Sequence, residues 1–286
     1  MQDEALQDRI KIDDFRWLQS WLKESASVVL EDGRKFLAEK RLVTLVWRYR
    51  FKDFGELFAA LRAVPGSELG KQCRDLMANG ETWFFRDPGF FEWIRSEILP
   101  TLIEQRKGTQ TLNFWSAGCS SGQEAYSLAL LIKHNFPQLS GWRLNILGTD
   151  ISEDAIAKAK AGLFTKDEIQ RGLPVALVMK YFKQDNALWS LSEEIRSMVA
   201  FHTMRLDAPG PELPRFDLIL LRNVVSAFDA DARRSVLSQM AQLLSTEGKL
   251  FLGTAEKLEP GVALDEVRKG DSWCYKVPEP AAAKAV

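Results

Sequence analysis

Cysteine is scarce in this chain: Cys73, Cys119 and Cys274 are three in number and form no CxxC pair. That excludes a disulfide framework and a cysteine-built zinc centre, and it makes a reducing cytoplasm the expected location. Histidine is scarcer still, with His134 in a helix-patterned segment and His202 in a strand-patterned one, so no histidine general base is expected. No run of about 18 apolar residues occurs, and the acidic start Met-Gln-Asp-Glu leads into no apolar stretch, so neither a membrane span nor export is expected. Neither sign of charge is in surplus: 38 Lys and Arg stand against 39 Asp and Glu, a net charge of −1. A nucleic-acid or anionic-membrane partner would have no global attraction to act through. What is present is ordinary globular material, 286 residues with 46% hydrophobic and 27% charged, enough for one large or two small domains.

From Ile12 to about Gly80 the apolar spacing is helical, predicting a helix from Asp13 or Asp14 through Leu22, a longer one from about Asp32 to Tyr49 and another from Gly66 to Met77. In the long helix Phe36, Leu37, Val43, Val46 and Trp47 supply an apolar side. Arg34, Arg41 and Arg48 recur every seven residues and share a basic stripe, either a solvated face or a dock for an acidic partner. A polar turn then meets Trp83, Phe84, Phe85 and Arg86, and the three aromatics are expected to pack at a domain junction. After Pro88 a helix is predicted as far as Pro100.

The pattern next changes to strands alternating with helices. Strands are predicted at 111–116, 144–150, 198–204, 216–221 and 249–253. Helices are predicted at 123–136, 153–161, 166–177 and 231–244. Tyr181 to Leu191 reads as a small antiparallel hairpin inserted before the third core strand, and segments at 265–268 and 273–277 as a closing hairpin. Alternation of this kind implies an α/β, doubly wound, mostly parallel sheet with its ligand across the carboxyl ends of the strands. Gly118, Asp150, Arg205-Leu206 and Arg222-Asn223 all fall at that rim. Gly118 and Gly122 let the backbone approach a ligand, and Asp150 ends the second strand, where a ribose-binding acid belongs. The Gly-x-x-x-Gly spacing is not that of a dinucleotide-pyrophosphate turn, so a ligand without phosphates fits better.

Together, Thr82-Trp-Phe-Phe-Arg86, Ser116-Ala-Gly-Cys-Ser-Ser-Gly-Gln-Glu124, Gly148-Thr-Asp150, Phe216-Asp-Leu-Ile and Arg222-Asn-Val224 resemble the CheR family of chemotaxis-receptor glutamate methyltransferases. The likeness runs from Ile12 to about Val277. It implies a Rossmann-like S-adenosylmethionine methyltransferase fold, with an all-α N-terminal domain and linker over 1–88, a methyltransferase domain over 89–277, a small β insertion near 179–198 and a disordered tail over 278–286. It implies methyl transfer from S-adenosylmethionine, with S-adenosylhomocysteine as product, to glutamates in the cytoplasmic helical region of a chemoreceptor, by a cytoplasmic monomer without nucleic acid, membrane insertion or metal. Cofactor contacts carried over by position are Thr82, Arg86, Glu124, Asp150, Leu206, Arg222 and Asn223. Gly118 and Arg205 join them from the turn and the third strand end, and Arg86 lies nearest the chemistry.

Three positions depart from the family pattern: Gly80 and Arg205 stand where asparagine is usual, and Ala227 stands where a tyrosine is expected near the transferred methyl. They leave open an alternative, a weakly active or inactive homologue that binds cofactor and receptor as a regulatory module. A nucleic-acid methylase is disfavoured, because Arg222-Asn223-Val224 replaces the Pro-Pro-aromatic step that adenine methylation uses.

Overall fold

The structure is a computed structural model describing residues 9–26, 28–30, 32–78, 82–208, 210, 213–269 and 272–278. The chain packs as two compact units, residues 1–80 with 226–229, and residues 81–225 with 230–286. Gly80 and the tail beyond Pro278 lie outside the described residues.

The first unit contains α1 (Ile12–Ala26), α2 (Lys35–Arg48), α3 (Phe54–Ala63) and α4 (Glu68–Ala78). Asp53 starts α3 by accepting the Glu56 backbone N–H at 2.9 Å, the usual way a short acid satisfies a free helix amide. The core of α2 is Ala38, Leu42, Val43, Leu45 and Val46, whereas Phe36 and Trp47, expected on its apolar side, are 69% and 51% exposed. The arginine stripe is also partly absorbed. Arg41 donates to the Leu76 and Met77 carbonyls at 3.2 and 3.0 Å, and Arg48 to Gln72 Oε1 at 2.9 Å. The residues 226–229 belong with this unit: Val29 N–H donates to the Ala227 carbonyl, and Lys23 pairs with Asp229 at 3.0 Å.

The second unit opens with α5 (Pro88–Trp93), which passes through one π turn (Ile94–Ile98) into α6 (Leu99–Gln105). The helix therefore does not stop at Pro100. The proline sits in the first turn of α6, where its missing N–H matters least, and the π turn before it takes up the altered hydrogen bonding. Then follow β1 (Thr111–Ala117), α7 (Gln123–Asn135), β2 (Arg143–Asp150), α8 (Glu153–Ala161), β3 (Leu163–Thr165), α9 (Lys166–Gln170) and α10 (Val175–Tyr181). The hairpin is β4 (Phe182–Asp185) and β5 (Leu188–Leu191), after which come α11 (Glu193–Arg196), β6 (Val199–Thr203) and β7 (Phe216–Leu221). The last elements are α12 (Ala230–Leu243), β8 (Leu244–Leu252), β9 (Asp265–Lys269) and β10 (Ser272–Lys276).

The main sheet has the order β6-β2-β1-β7-β8-β10-β9. The first five strands are parallel and β10 and β9 close it as an antiparallel ribbon, so the fold is the expected doubly wound, mostly parallel α/β sheet. β7 is buried at every residue and α7 is buried from Ala125 to Ile132, as expected of elements sandwiched in the middle of such a sheet. The inserted hairpin gains a third strand, β3, which pairs antiparallel with β5. Of the aromatics expected at a junction, Phe84 is buried within this unit edge-on to Phe164 and Phe182, and Phe85 packs edge-on to Phe91. Among the described residues no helix is long and apolar enough to cross a membrane.

Candidate active site

β1 and β7 are neighbours, but the chain leaves β1 toward β2 and β7 toward β8, in opposite directions across the sheet. In a doubly wound sheet such a reversal is where a ligand crevice lies, beyond the carboxyl ends of the two strands. The turn after β1 lines it. Gly118 (φ 78°) and Gly122 (φ 91°) are in the left-handed region, which a side chain makes costly. A Cβ on Gly118 would lie 2.5 Å from Val224 Cγ2, so the missing side chain also lets the β1 and β7 loops touch. The Gly118 and Cys119 amides donate to the Thr149 carbonyl at 2.7 and 2.8 Å, fastening this turn to the end of β2.

Asp150 completes that fastening: its Oδ2 accepts Ser120 N–H at 2.8 Å and its Oδ1 accepts Ser152 N–H at 3.0 Å. It is not the cap of α8, since Ser152 performs that role by accepting Ala155 N–H. Asp150 is 9% exposed, and burial pushes its pKa up against the opposing pull of the backbone N–H bonds. The Ser152, Ser120 and Ile151 amides do not exhaust the roughly four lone-pair sites of a carboxylate, which suits an acid that also receives a ligand hydroxyl.

On the other wall, Glu124 in the first turn of α7 accepts Ser116 Oγ–H at 2.8 Å and Arg222 Nη1 at 3.0 Å. Arg222 also pairs with Asp87, donates to the Arg86 carbonyl at 3.3 Å and lies over the Phe90 ring at 4.0 Å. Only 2% of its side chain is exposed, so Arg222 orders the floor of the site with a guanidinium already engaged by protein groups. Arg86 sits just above, between two left-handed residues, Phe85 (φ 49°) and Asp87 (φ 62°). Non-glycine residues in that region cost energy, and such strain concentrates at functional sites. Ser127 Oγ accepts Phe85 N–H at 2.9 Å and helps hold the loop. Burial lowers the Arg86 pKa, Asp87 raises it, Arg222 lowers it, and Glu124 and Glu256 raise it, which places Arg86 within the field of all three acids.

Glu256 is the residue sequence reading missed. It is 5% exposed, and its Oε2 accepts the N–H of Asn223 at 2.7 Å and of Gly253 at 2.8 Å. Asn223 is left-handed (φ 60°), and this carboxylate pins its turn in place. The only signal for it in sequence was an acid three residues past the glycine that ends β8. Asn223 Oδ1 is buried and accepts no hydrogen bond among the described residues. An orphaned acceptor at the crevice is what a ligand N–H or O–H would satisfy.

Other candidates are placed less centrally. Leu206 is buried after β6, Arg205 is turned to Asp207 by a two-bonded ion pair (3.1 and 2.7 Å), and Thr82 is half-buried at the start of the loop leading to Arg86. Two guanidiniums, Arg86 and Arg222, stand among four carboxylates, Asp87, Glu124, Asp150 and Glu256. The crevice is therefore electronegative on balance and suits a cationic ligand. Among the described residues no cluster of His, Cys, Asp or Glu has the makings of a metal centre.

Residues 80–271 match the family model described as CheR methyltransferase, SAM binding domain. The chain is 34% identical to chemotaxis protein methyltransferase 1 of Pseudomonas aeruginosa over 250 residues, covering 86% of this chain and 90% of the relative. It is 32% identical, with the same coverage, to chemotaxis protein methyltransferase Cher2 of Pseudomonas putida. Among solved structures, magnesium protoporphyrin IX methyltransferase of Synechocystis with bound SAM aligns over 77% of this chain and 93% of its own, at 14% identity and a TM-score of 0.34. The chain, with its doubly wound sheet, acid-lined crevice and unmatched Asn223 acceptor, belongs to the CheR family of methyltransferases and uses S-adenosylmethionine as its cofactor.

Proposed function

We propose that this protein transfers the methyl group of S-adenosylmethionine to glutamate side chains in the cytoplasmic helical region of a chemotaxis receptor, giving glutamate methyl esters. The observation that carries this reading is Arg86, a half-buried guanidinium between strained residues and within the field of Asp87, Glu124 and Glu256, with Arg222 already engaged by protein groups. An acidic crevice attracts a sulfonium and repels a carboxylate. Arg222 is engaged by Asp87 and Glu124, and the half-buried Arg86 guanidinium gives the carboxylate a place to be held. The names of the relatives, chemotaxis protein methyltransferases, support the receptor as target.

When bound, the cofactor supplies an activated methyl group and leaves as S-adenosylhomocysteine. The residues of the chain do the rest. Asp150 and the turn at Gly118 hold the nucleoside end, Asn223 Oδ1 and Glu124 meet its polar groups, and Arg86 orients the substrate carboxylate. A glutamate side chain, which in water ionises at about pH 4.3, is already a carboxylate at neutral pH, so one of its oxygens forms the new bond to carbon with no proton to remove. That removes the need for a general base and accounts for a site without histidine. What the site contributes is orientation and exclusion of water.

The test is transfer of labelled methyl from S-adenosylmethionine to a purified receptor cytoplasmic fragment, read as base-labile ester and mapped to glutamate peptides. Label in base-stable form, or none on glutamate, would refute the reading. One observation favours a slower variant of it: Ala227 stands where the family has tyrosine, and its segment packs in the first unit. If that absence limits the rate, Ala227→Tyr raises kcat while leaving the dissociation constant of S-adenosylhomocysteine unchanged.

A further inference from the structure

Trp83 precedes Arg86 by three residues, and its indole is shared by two guanidiniums. Arg86 Cζ lies 4.4 Å from the ring centroid and Arg171 Cζ 4.0 Å from it. Arg171 comes from the connection between α9 and α10, far along the chain from Arg86. The next residue shows how tightly that connection is pressed against the Trp83 segment. A Cβ on Gly172 would stand 2.1 Å from the Phe84 carbonyl oxygen and 3.1 Å from Trp83 Cδ1. Any side chain there would push the connection, and Arg171 with it, off the ring.

A planar guanidinium stacked on an indole has its plane fixed, and its N–H donors radiate within that plane. Two-point pairing with a carboxylate requires approach in the same plane, so whatever sets the plane sets the direction from which the substrate oxygen arrives. Strain at Phe85 and Asp87 fixes the backbone of Arg86 but leaves its side-chain torsions to be settled. The indole under its Cζ constrains them. We propose that Trp83, steadied by Arg171, is a positioning residue that sets the guanidinium plane of Arg86 for the substrate carboxylate. This rests on the role given to Arg86 under the proposed function.

The experiment compares Trp83→Leu, Trp83→Phe, Arg171→Ala and Arg86→Lys for kcat and KM on a receptor cytoplasmic fragment, with S-adenosylhomocysteine affinity and melting temperature for each. Trp83→Leu, which stays apolar and loses the π face, is expected to lower kcat about tenfold with cofactor affinity and melting unchanged. Trp83→Phe recovers most of that loss, and Arg171→Ala, which lowers kcat by about threefold alone, adds nothing to Trp83→Leu because it acts through the ring. Equal losses in Leu and Phe, or losses that track melting, would overturn the proposal. An Arg86→Lys variant as fast as wild type would instead refute the role of Arg86 itself. In a protein without turnover, phenylglyoxal modification decides the matter. Arg86, mapped by peptide mass, should react faster in Trp83→Leu than in wild type or Trp83→Phe, and an unchanged rate refutes the stack.

Discussion

Asp150 faces two demands with opposite pH dependence. Its carboxylate form accepts the Ser120 and Ser152 amides and is the form that can accept ligand hydroxyls, but burial raises its pKa above the ordinary 3.8. Affinity for S-adenosylhomocysteine should therefore decline as pH falls through that raised value, approaching about tenfold per pH unit below it. The stability contribution has the other sign. A carboxyl whose folded pKa exceeds its unfolded one favours the fold at low pH and loses that contribution as pH rises through the folded pKa. Calorimetric titration between about pH 4 and 8 checks the first statement. Asp150→Ala should flatten the profile and weaken binding by about tenfold or more at neutral pH. A profile unchanged by the substitution would assign the pH dependence to another group. Glu256 carries a second prediction. Removing the carboxylate, as Glu256→Ala, leaves two buried backbone amides without the Oε2 acceptor they share, so unfolding free energy should drop by about 1–3 kcal/mol and cofactor affinity should weaken with it. Denaturant titration reads the first effect. Residue positions were legible where the backbone dictates them: Gly118 and Asp150 are placed by strand ends, which periodicity locates. Arg222 was legible as a rim position but not as a buried partner of Glu124 and Asp87, because side-chain direction after a strand depends on what packs around it. Glu256 stayed hidden because one acid after a strand looks like any surface charge.

The elements themselves followed the hydrophobic period closely where they are long. β7 occupies the predicted 216–221, and β2 and α8 end where the pattern ends. β3 was missed because three residues are too few to show alternation, and its existence depends on β5 as a partner. In α2 the seven-residue recurrence did place the arginines on one stripe, but the sequence does not say which neighbour that stripe meets. Arg41 lies against the last carbonyls of α4, where a cation offsets the negative end of the helix and satisfies acceptors left without intrahelical donors. Arg41→Ala is thus expected to lower stability by about 1–2 kcal/mol, seen as an earlier melting transition, without altering S-adenosylhomocysteine affinity. If melting is unmoved and receptor methylation falls instead, Arg41 serves the partner and not α4. The outward residues Phe36, Lys40, Thr44 and Trp47 are the part of α2 that faces solvent.

At the scale of the whole molecule, the division of the chain separates the proposed cofactor contacts from the helical N-terminal unit. Thr82, Arg86, Gly118, Glu124, Asp150, Arg205, Leu206, Arg222, Asn223 and Glu256 all belong to residues 81–225 with 230–286. The change from purely helical spacing to alternating strands and helices marks this division in the sequence near residue 88, while the packing sets it at Gly80. The loop carrying Arg86 thereby falls in the second unit. The return of residues 226–229 to the first unit was not legible, since four residues carry no periodicity and their place is decided by pairs such as Lys23 with Asp229. This arrangement makes a testable separation of tasks. Residues 81–286 produced alone contain every proposed cofactor contact, together with the Glu256 carboxylate that pins the Asn223 turn, so they should bind S-adenosylhomocysteine within roughly threefold of the intact chain. Segment 226–229 would lose its partners, so a lower melting temperature is expected alongside. Calorimetry on the two proteins decides: a loss of affinity beyond about tenfold would mean that the helical unit holds the Asn223 turn in its binding geometry, through the short tether between Val225 and Ala230.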